Sequence, residues 1–545
     1  MQEKMQRMPK DTGKRHRQKT QNRFFCFCAG GDLTFRNEFG NMRKKGAFFA
    51  RIPSFHLRER EKIMFTRRNF MKSSALTAAA VSTGILYLPA SAQGANDRLR
   101  VGVLGVGSRG NDHCKEFTQM ENVQLAAVAD PDQIRAESTK KRWEEKTETE
   151  IQAFQDPRRI IEDRSIDAVS VASVNHWHTL LALWSAETGK HVYVEKPCSH
   201  TVFEGRQLVN AMRRFNVCIQ HGTQNRSANG WRQAAAAFRS GKYGKPAAVF
   251  AHANRPRNGI GFEPVQEPPA TLNWDLWLGP VDQMEYHANL VPYKWHWFWN
   301  TGDGEIGNNG VHFFDLCRLA LGDPYEHARR ITAFGTRIVS SVQTQYRDQG
   351  ETPTIQAVLY EMNGIPCYFS SCNVRRQDSE WKPIETAQFF TEDGVISRGA
   401  FISNSGETQP LDVEFDAVEQ GNHFVNFIDC VRAGTPEKLN APIREGHYSA
   451  AFCHLGNISY RTGRDASLAE CLAVTDGHPI FRTCLDGMLA NVQHAIPALN
   501  IAKDVRFTLG TMLEFDSAAE KFTNSDAANA LLSKPGRKEF VVKAY

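Results

Sequence analysis

From Leu99 onward, short apolar runs alternate with amphipathic stretches. Residues 99–105 (LRVGVLG) read as a strand, 111–120 (NDHCKEFTQM) as a helix, 123–130 (VQLAAVAD) as a second strand and 133–147 as a charged helix. The rhythm continues with strand-like 166–173, helix-like 178–189, strand-like 191–197, a helix near Phe203–Phe215 and strand-like 217–222. The strands are apolar on both faces and separated by helices. That pattern predicts a parallel sheet covered on both sides, a doubly wound domain over residues 97–225.

After about Arg226 the period changes. One helix-like stretch, 229–241, is followed by extended segments at 246–253, 328–338, 354–362, 365–372 and 386–397, which alternate apolar and polar positions between turn residues. This predicts a large, mainly antiparallel open sheet. Helical patterns return at 422–434 and 445–463. The expectation is therefore an α/β Rossmann-type domain followed by an α+β substrate and oligomerisation domain over 226–545, whose broad sheet invites pairing between copies. No repeat of 20–50 residues is present.

Charge alters the picture at the N-terminus. The 545-residue chain has a net charge of +6, but residues 1–92 hold 19 Lys and Arg against 6 Asp and Glu. That segment is +13, and the remaining 47 basic and 54 acidic residues give −7. No basic stripe with interleaved aromatics is left to bind nucleic acid. Within the basic segment, Arg67-Arg68 precedes an apolar run at 75–92 that ends in Ala90-Ser91-Ala92. This reads as a twin-arginine export signal over 64–92, with cleavage after Ala92 and a periplasmic destination. The apolar run is too short and too rich in Ala, Ser and Thr for a transmembrane helix, so no span is expected after cleavage. Residues 1–63 show no apolar period and read as an extension, with translation starting at Met64. The twelve cysteines contain no CxxC pair, which speaks against a zinc ribbon.

Chemistry concentrates in four places. The turn Gly105, Gly107, Ser108, Arg109, Gly110 has G-x-G-x-x-G spacing between a strand and a helix, as a pyrophosphate-binding turn requires. Asp130 ends the second strand twenty residues later, placed to take the adenosine ribose hydroxyls and repel a 2′-phosphate, which favours NAD over NADP. Glu195-Lys196-Pro197 follows the fifth strand, where an ammonium could stabilise a developing alkoxide. Asn308 and His312 share one face if their stretch is helical, and His312 could then act as general base. Glu305, His312 and Asp315 give no firm metal-ligand set, and no metal is expected. Just ahead, 289–300 (NLVPYKWHWFWN) packs Tyr293, Trp295, Trp297, Phe298 and Trp299 together, rings that suit either a sugar or a core.

Taken in order, GVLGVGSRG, AVADPD, SVNHWH, VYVEKP and GVHFFDLCRLALG resemble the glucose–fructose oxidoreductase, inositol dehydrogenase and MocA family, Gfo/Idh/MocA. The resemblance runs from about Leu99 to the C-terminus. It implies an NAD-dependent oxidoreductase acting on a sugar or sugar-derived polyol. Ser173, Asn175 and His178 would line the cofactor groove, and Glu195 and Lys196 would meet the nicotinamide ribose and the substrate. Lys196, His312 and Asn308 would form the catalytic group, with Asn309, Trp295 and Trp297 toward the substrate. Asn308 stands where the family carries Asp, and it can neither take a proton nor hold a charge. Some relatives cleave glycosides by transient oxidation and elimination, which keeps an NAD-dependent glycosidase as an alternative. A non-catalytic sugar- or nucleotide-binding protein is the second alternative. Joined to the export signal, the resemblance implies a cofactor loaded before export and then tightly kept.

Overall fold

In the computed structural model, residues 98–375, 384–419 and 422–545 are described. The expected extension and export signal lie outside them. Six parallel strands form the first sheet: β1 Leu99–Leu104, β2 Val123–Ala129, β3 Gln152–Phe154, β4 Ala168–Val171, β5 His191–Val194 and β6 Ile219–His221. Their order is β3-β2-β1-β4-β5-β6. The chain reverses direction across the sheet between β1 and β4, which opens a crevice at the carboxyl ends of these two strands. Val101, Val103, Val169, Val192 and Val194 are fully buried, as strands covered on both faces require.

The second sheet has twelve strands. Eight are β7 Pro246–Ala253, β8 Arg330–Thr336, β9 Ile355–Met362, β10 Ile365–Cys372, β11 Glu385–Thr391, β12 Gly394–Ser397, β13 Ala400–Ser403 and β14 Thr408–Pro410. Short edge strands β15 Arg464–Ala466, β16 Phe507–Leu509, β17 Leu513–Asp516 and β18 Lys521–Phe522 complete it. All its pairs are antiparallel except β7 with β10. The β9–β10 hairpin turns through Asn363-Gly364, with φ of 52° and 75°. Both values are positive, as a two-residue type I′ turn demands, and Asn-Gly tolerates them best.

One face of this sheet packs under the helices Asn229–Ser240, Val311–Ala320 and Ile443–Arg461, with Phe314, Tyr360, Phe369, Phe389 and Phe452 at the centre. The other face is covered as well. Phe250, Phe334, Tyr368 and Phe390 meet Phe481, Leu485, Met488 and Val492 of the helix Pro479–Ala495. Phe481 stacks on Tyr368 with ring centres 4.7 Å apart. The chain's own C-terminal helices thus cover this second face of the sheet.

The chain also returns to the first domain. Phe424, Phe427 and Ile428 of the helix His423–Ala433 join the cluster around Val101 and Tyr193, and Phe540 packs near Trp177. Among the described residues, no helix is long and apolar enough to cross a membrane.

Candidate functional site

A cavity of about 330 Å³ runs from the β1–β4 crevice to the edge of the second sheet. Its inner end is the glycine turn. Gly105 has φ +86°, and a Cβ there would come within 2.6 Å of the Ser173 Cα. At Gly110 a Cβ would overlap the Gly105 carbonyl oxygen, so the helix can approach β1 only through glycine. Gly107 caps the helix Ser108–Thr118 with no side-chain hydrogen bond, and Gly107, Ser108 and Arg109 line the cavity. The first-turn N–H groups are thereby left for an anion.

Asp130 is fixed at the end of β2 by the Val106 and Asp132 N–H groups, each 3.0 Å from a carboxylate oxygen. Burial pushes its pKa up to about 6, against the Arg135 guanidinium 3.7 Å away. A bare glycine cradle and an oriented carboxylate in one cavity fit a dinucleotide's pyrophosphate and adenosine ribose.

Paired with the residues that follow Asp130 runs the segment 269–277, with Leu272 bridged to Asp132. Gln133 N–H donates to the Thr271 carbonyl at 2.9 Å, and Asn273 N–H donates to the Pro131 carbonyl at 2.9 Å. The Gln155 amide donates to both carbonyls, at 3.1 and 3.0 Å. Arg537 from the C-terminal tail holds Asp275 at 2.8 Å. Leu272, Leu276 and Trp277 of this strap face the cavity.

Lys196, joined to Pro197 by a cis peptide, reaches into the other end. Its Nζ donates to the Asn308 carbonyl at 2.5 Å and to Asn308 Oδ1 at 3.3 Å. Burial pushes the ammonium's pKa down, while Glu195 and Glu305 oppose that shift. Burial would raise Glu195, but the charge of Arg109 and the hydrogen bond from His113 hold it well below the usual carboxylate range. Arg109 Nε lies 2.7 Å and His113 Nε2 3.1 Å from Glu195 Oε1. His113 is thus a site residue that sequence reasoning missed. Its position four residues after Arg109 on one helix face was the available signal.

His178 is buried with Nδ1 2.7 Å from the Pro197 carbonyl and Nε2 3.0 Å from that of Ser173. It braces the turn before Lys196. Asn175 lines the cavity and donates to Asp303 at 3.4 Å.

Asn308 and Asn309 sit in a single π-helical turn, Ile306–Gly310, that leads into the helix Val311–Ala320. Both face the cavity. His312 follows on the α-helix and is not among the lining residues. Burial, then the Lys196 charge, pushes its pKa down to about 3, and its Nδ1 has no hydrogen-bond partner among the described residues.

Of the aromatic run, Tyr293, Trp295 and His296 line the cavity. Trp297 is buried beneath the Arg257 guanidinium, 4.9 Å from its ring centre, and Phe298 is core. Glu305 accepts from Arg257 at 2.6 and 3.1 Å and from the Asn309 amide. Asp315 accepts from Arg226 and from Ser449, each at 2.7 Å. These two carboxylates are therefore occupied by other partners rather than converging on a metal with His312.

Residues 99–223 match the family model described as oxidoreductase family, NAD-binding Rossmann fold, and residues 258–346 match oxidoreductase family, C-terminal alpha/beta domain. A myo-inositol 2-dehydrogenase of Thermotoga maritima is 30% identical over 148 residues, 27% of this chain and 43% of that protein. A glycosyl hydrolase family 109 protein of Shewanella pealeana is 32% identical over 172 residues, 27% of this chain and 37% of that protein. The chain thus spans less than half the length of these curated relatives. Among solved structures, a WlbA dehydrogenase from Bordetella pertussis in complex with NADH and UDP-GlcNAcA is 16% identical, with a TM-score of 0.48 over 67% of this chain and 97% of that one.

Proposed function

We propose, on the premise that residues 99–223 and 258–346 belong to the two domain families of the Gfo/Idh/MocA oxidoreductases, that this chain is an NAD-dependent oxidoreductase of a sugar or sugar-derived polyol. The observation that carries the reading is Lys196, which shares one cavity with the glycine turn and is aimed by Asn308. The dinucleotide, when bound, supplies the hydride acceptor. Gly105, Gly107, Ser108, Arg109 and Gly110 would hold its pyrophosphate and Asp130 its adenosine ribose.

Oxidation breaks a carbinol C–H bond, whose electron pair leaves as hydride, and an O–H bond, whose proton needs an acceptor. The Lys196 ammonium lowers the cost of negative charge on that oxygen. His312 is neutral but does not line the cavity, so it would take this proton only through a bridging water, and burial, which pushes its pKa down to about 3, makes it a weak base for that step. Asn308 orients Lys196 and takes no proton.

The same reading includes export through the twin-arginine machinery to the periplasm and a cofactor that stays bound. The strap at 269–277 supports the retention, because the bonds at Thr271, Asn273 and Gln155 tie it to the loop after Asp130 and set Leu272, Leu276 and Trp277 against the cavity beside the place the adenosine end would take. The family 109 relatives support a second reading, glycoside cleavage by transient oxidation, in which hydride returns within one turnover.

The test is to purify the protein from the exported fraction, denature it and assay the supernatant for nicotinamide dinucleotide, then supply sugars and glycosides. One equivalent of dinucleotide per chain and reduction by a sugar would fit the dehydrogenase. Aglycone release without an external acceptor would replace it with the glycosidase. Protein that is empty and refuses added NAD would leave only a binding protein.

A further inference from the structure

The end of the cavity around Lys196 presents cationic and neutral polar groups but no uncommitted carboxylate. Lys196, Asn308, Asn309, Tyr293, His296 and Arg255 line it. The nearest carboxylates are committed elsewhere: Glu195 to Arg109 and His113, Glu305 to Arg257 and Asn309. Neutral sugars present hydroxyls that need acceptors as well as donors, and ionised carboxylates are the strongest acceptors a protein has. None is left free at this end among the described lining residues.

Two arginines approach this end, and they differ. Arg257 is two-pronged on the buried Glu305 and stacked over Trp297, so its charge and its geometry are both used. The side chain of Arg255 is 51% exposed, and its Nε stands 3.7 Å from Glu385 Oε1, beyond hydrogen-bond range. Burial pushes Glu385 toward its neutral form against the pull of that guanidinium. Arg255 therefore brings a planar donor fork to the cavity with its charge only partly offset, the geometry that recognises a carboxylate in two-point fashion.

We infer that the substrate carries a carboxylate, that it is a sugar acid, and that Arg255 binds this group while the reacting carbinol lies at Lys196. A monoanion suits the site. A phosphate dianion would call for a second uncommitted cation beside Arg255, and Arg257 is already paired. This rests on the oxidoreductase reading and names its substrate class.

The experiment uses the protein with its dinucleotide in place and matched probes: glucose, gluconate, glucuronate and glucose 6-phosphate. Cofactor reduction and calorimetric binding are both measured, on the wild type and on Arg255→Gln and Arg255→Lys. The expected result is a kcat/KM for a sugar acid about tenfold or more above that for glucose. In Arg255→Gln the acid's KM should rise about tenfold with kcat little changed, and Arg255→Lys, which keeps the charge without the fork, should recover only part of the loss.

Turnover of glucose at least equal to the acids, a preference for the phosphate, or a KM for the acids that Arg255→Gln leaves unmoved would each overturn the inference and leave the oxidoreductase reading intact. Acid binding that is lost in Arg255→Gln, without any cofactor reduction, would keep Arg255 as a carboxylate site but overturn the inference that the acid is the substrate. Absence of acid binding overturns it outright.

Discussion

Lys196 holds a charge where burial opposes one, and two neighbouring carboxylates resist its loss. Replacing it with Ala should lower turnover by about a hundredfold or more, the scale of a lost charge-stabilising donor, while dinucleotide content per chain stays unchanged. Glu195→Gln removes the larger of the two supports. The Lys196 pKa then falls, the cation is lost at a lower pH, and the alkaline limb of kcat/KM should move to lower pH; a limb that stays put would detach Glu195 from this role. Asp130 has the opposite sign. Its pKa is raised to about 6, so the strongly accepting carboxylate exists only above that value. NAD affinity measured by titration should therefore weaken as pH falls through about 6, and Asp130→Asn should flatten that dependence at a lower overall affinity. At this scale the sequence was legible where one residue type has one job, as at Gly105, Asp130 and Lys196. Arg109, His113 and Glu195 were separable only in space, because their partnership spans 86 residues of chain.

Helices and strands show which patterns carry position and which carry only type. Both cores were visible as apolar runs, and the Asn363-Gly364 hairpin was fixed by two positive φ angles. The π-turn Ile306–Gly310 was not legible, because its extra residue per turn leaves no mark on a window of apolar periodicity. It matters, since it puts the Asn308 carbonyl as well as its side chain onto Lys196. The strand Gln152–Phe154 is three residues long, too short to show any period. The glycine turn gives a sharp prediction for an element. Gly110→Ala sets a methyl against the Gly105 carbonyl oxygen, so the helix Ser108–Thr118 must back away from β1. Thermal melting should drop, and the bound dinucleotide should fall below one per chain.

Across the whole molecule, two coverings decide behaviour. The helix Pro479–Ala495 seals the second face of the large sheet, and Phe481 is fully buried there. Phe481→Ala should cost about 3–5 kcal/mol in denaturant unfolding, the usual loss for a buried aromatic. It should also expose Tyr368, Phe250 and Phe390 and promote self-association on size exclusion. Nothing in the period of 246–397 showed that one face of the sheet is covered by a helix about eighty residues further along the chain. The strap is the second covering. Gln155→Ala removes the amide that bridges Thr271 of the strap to Pro131 after Asp130, so the cofactor should exchange faster with labelled NAD while the chemistry at Lys196 is untouched.

The ten cysteines of the described residues, from Cys114 to Cys484, are all buried, and none of them is in a disulfide. Some lie close to one another in the core: Cys317 is within hydrogen-bonding reach of Cys367. A native fold shelters these sulfurs from oxidants, whereas a loose chain would offer ten thiols for mispairing. Were the chain exported, folding under reducing conditions before the crossing would keep these thiols sheltered, whereas a chain threaded across a membrane in extended form would meet the oxidant with all of them exposed.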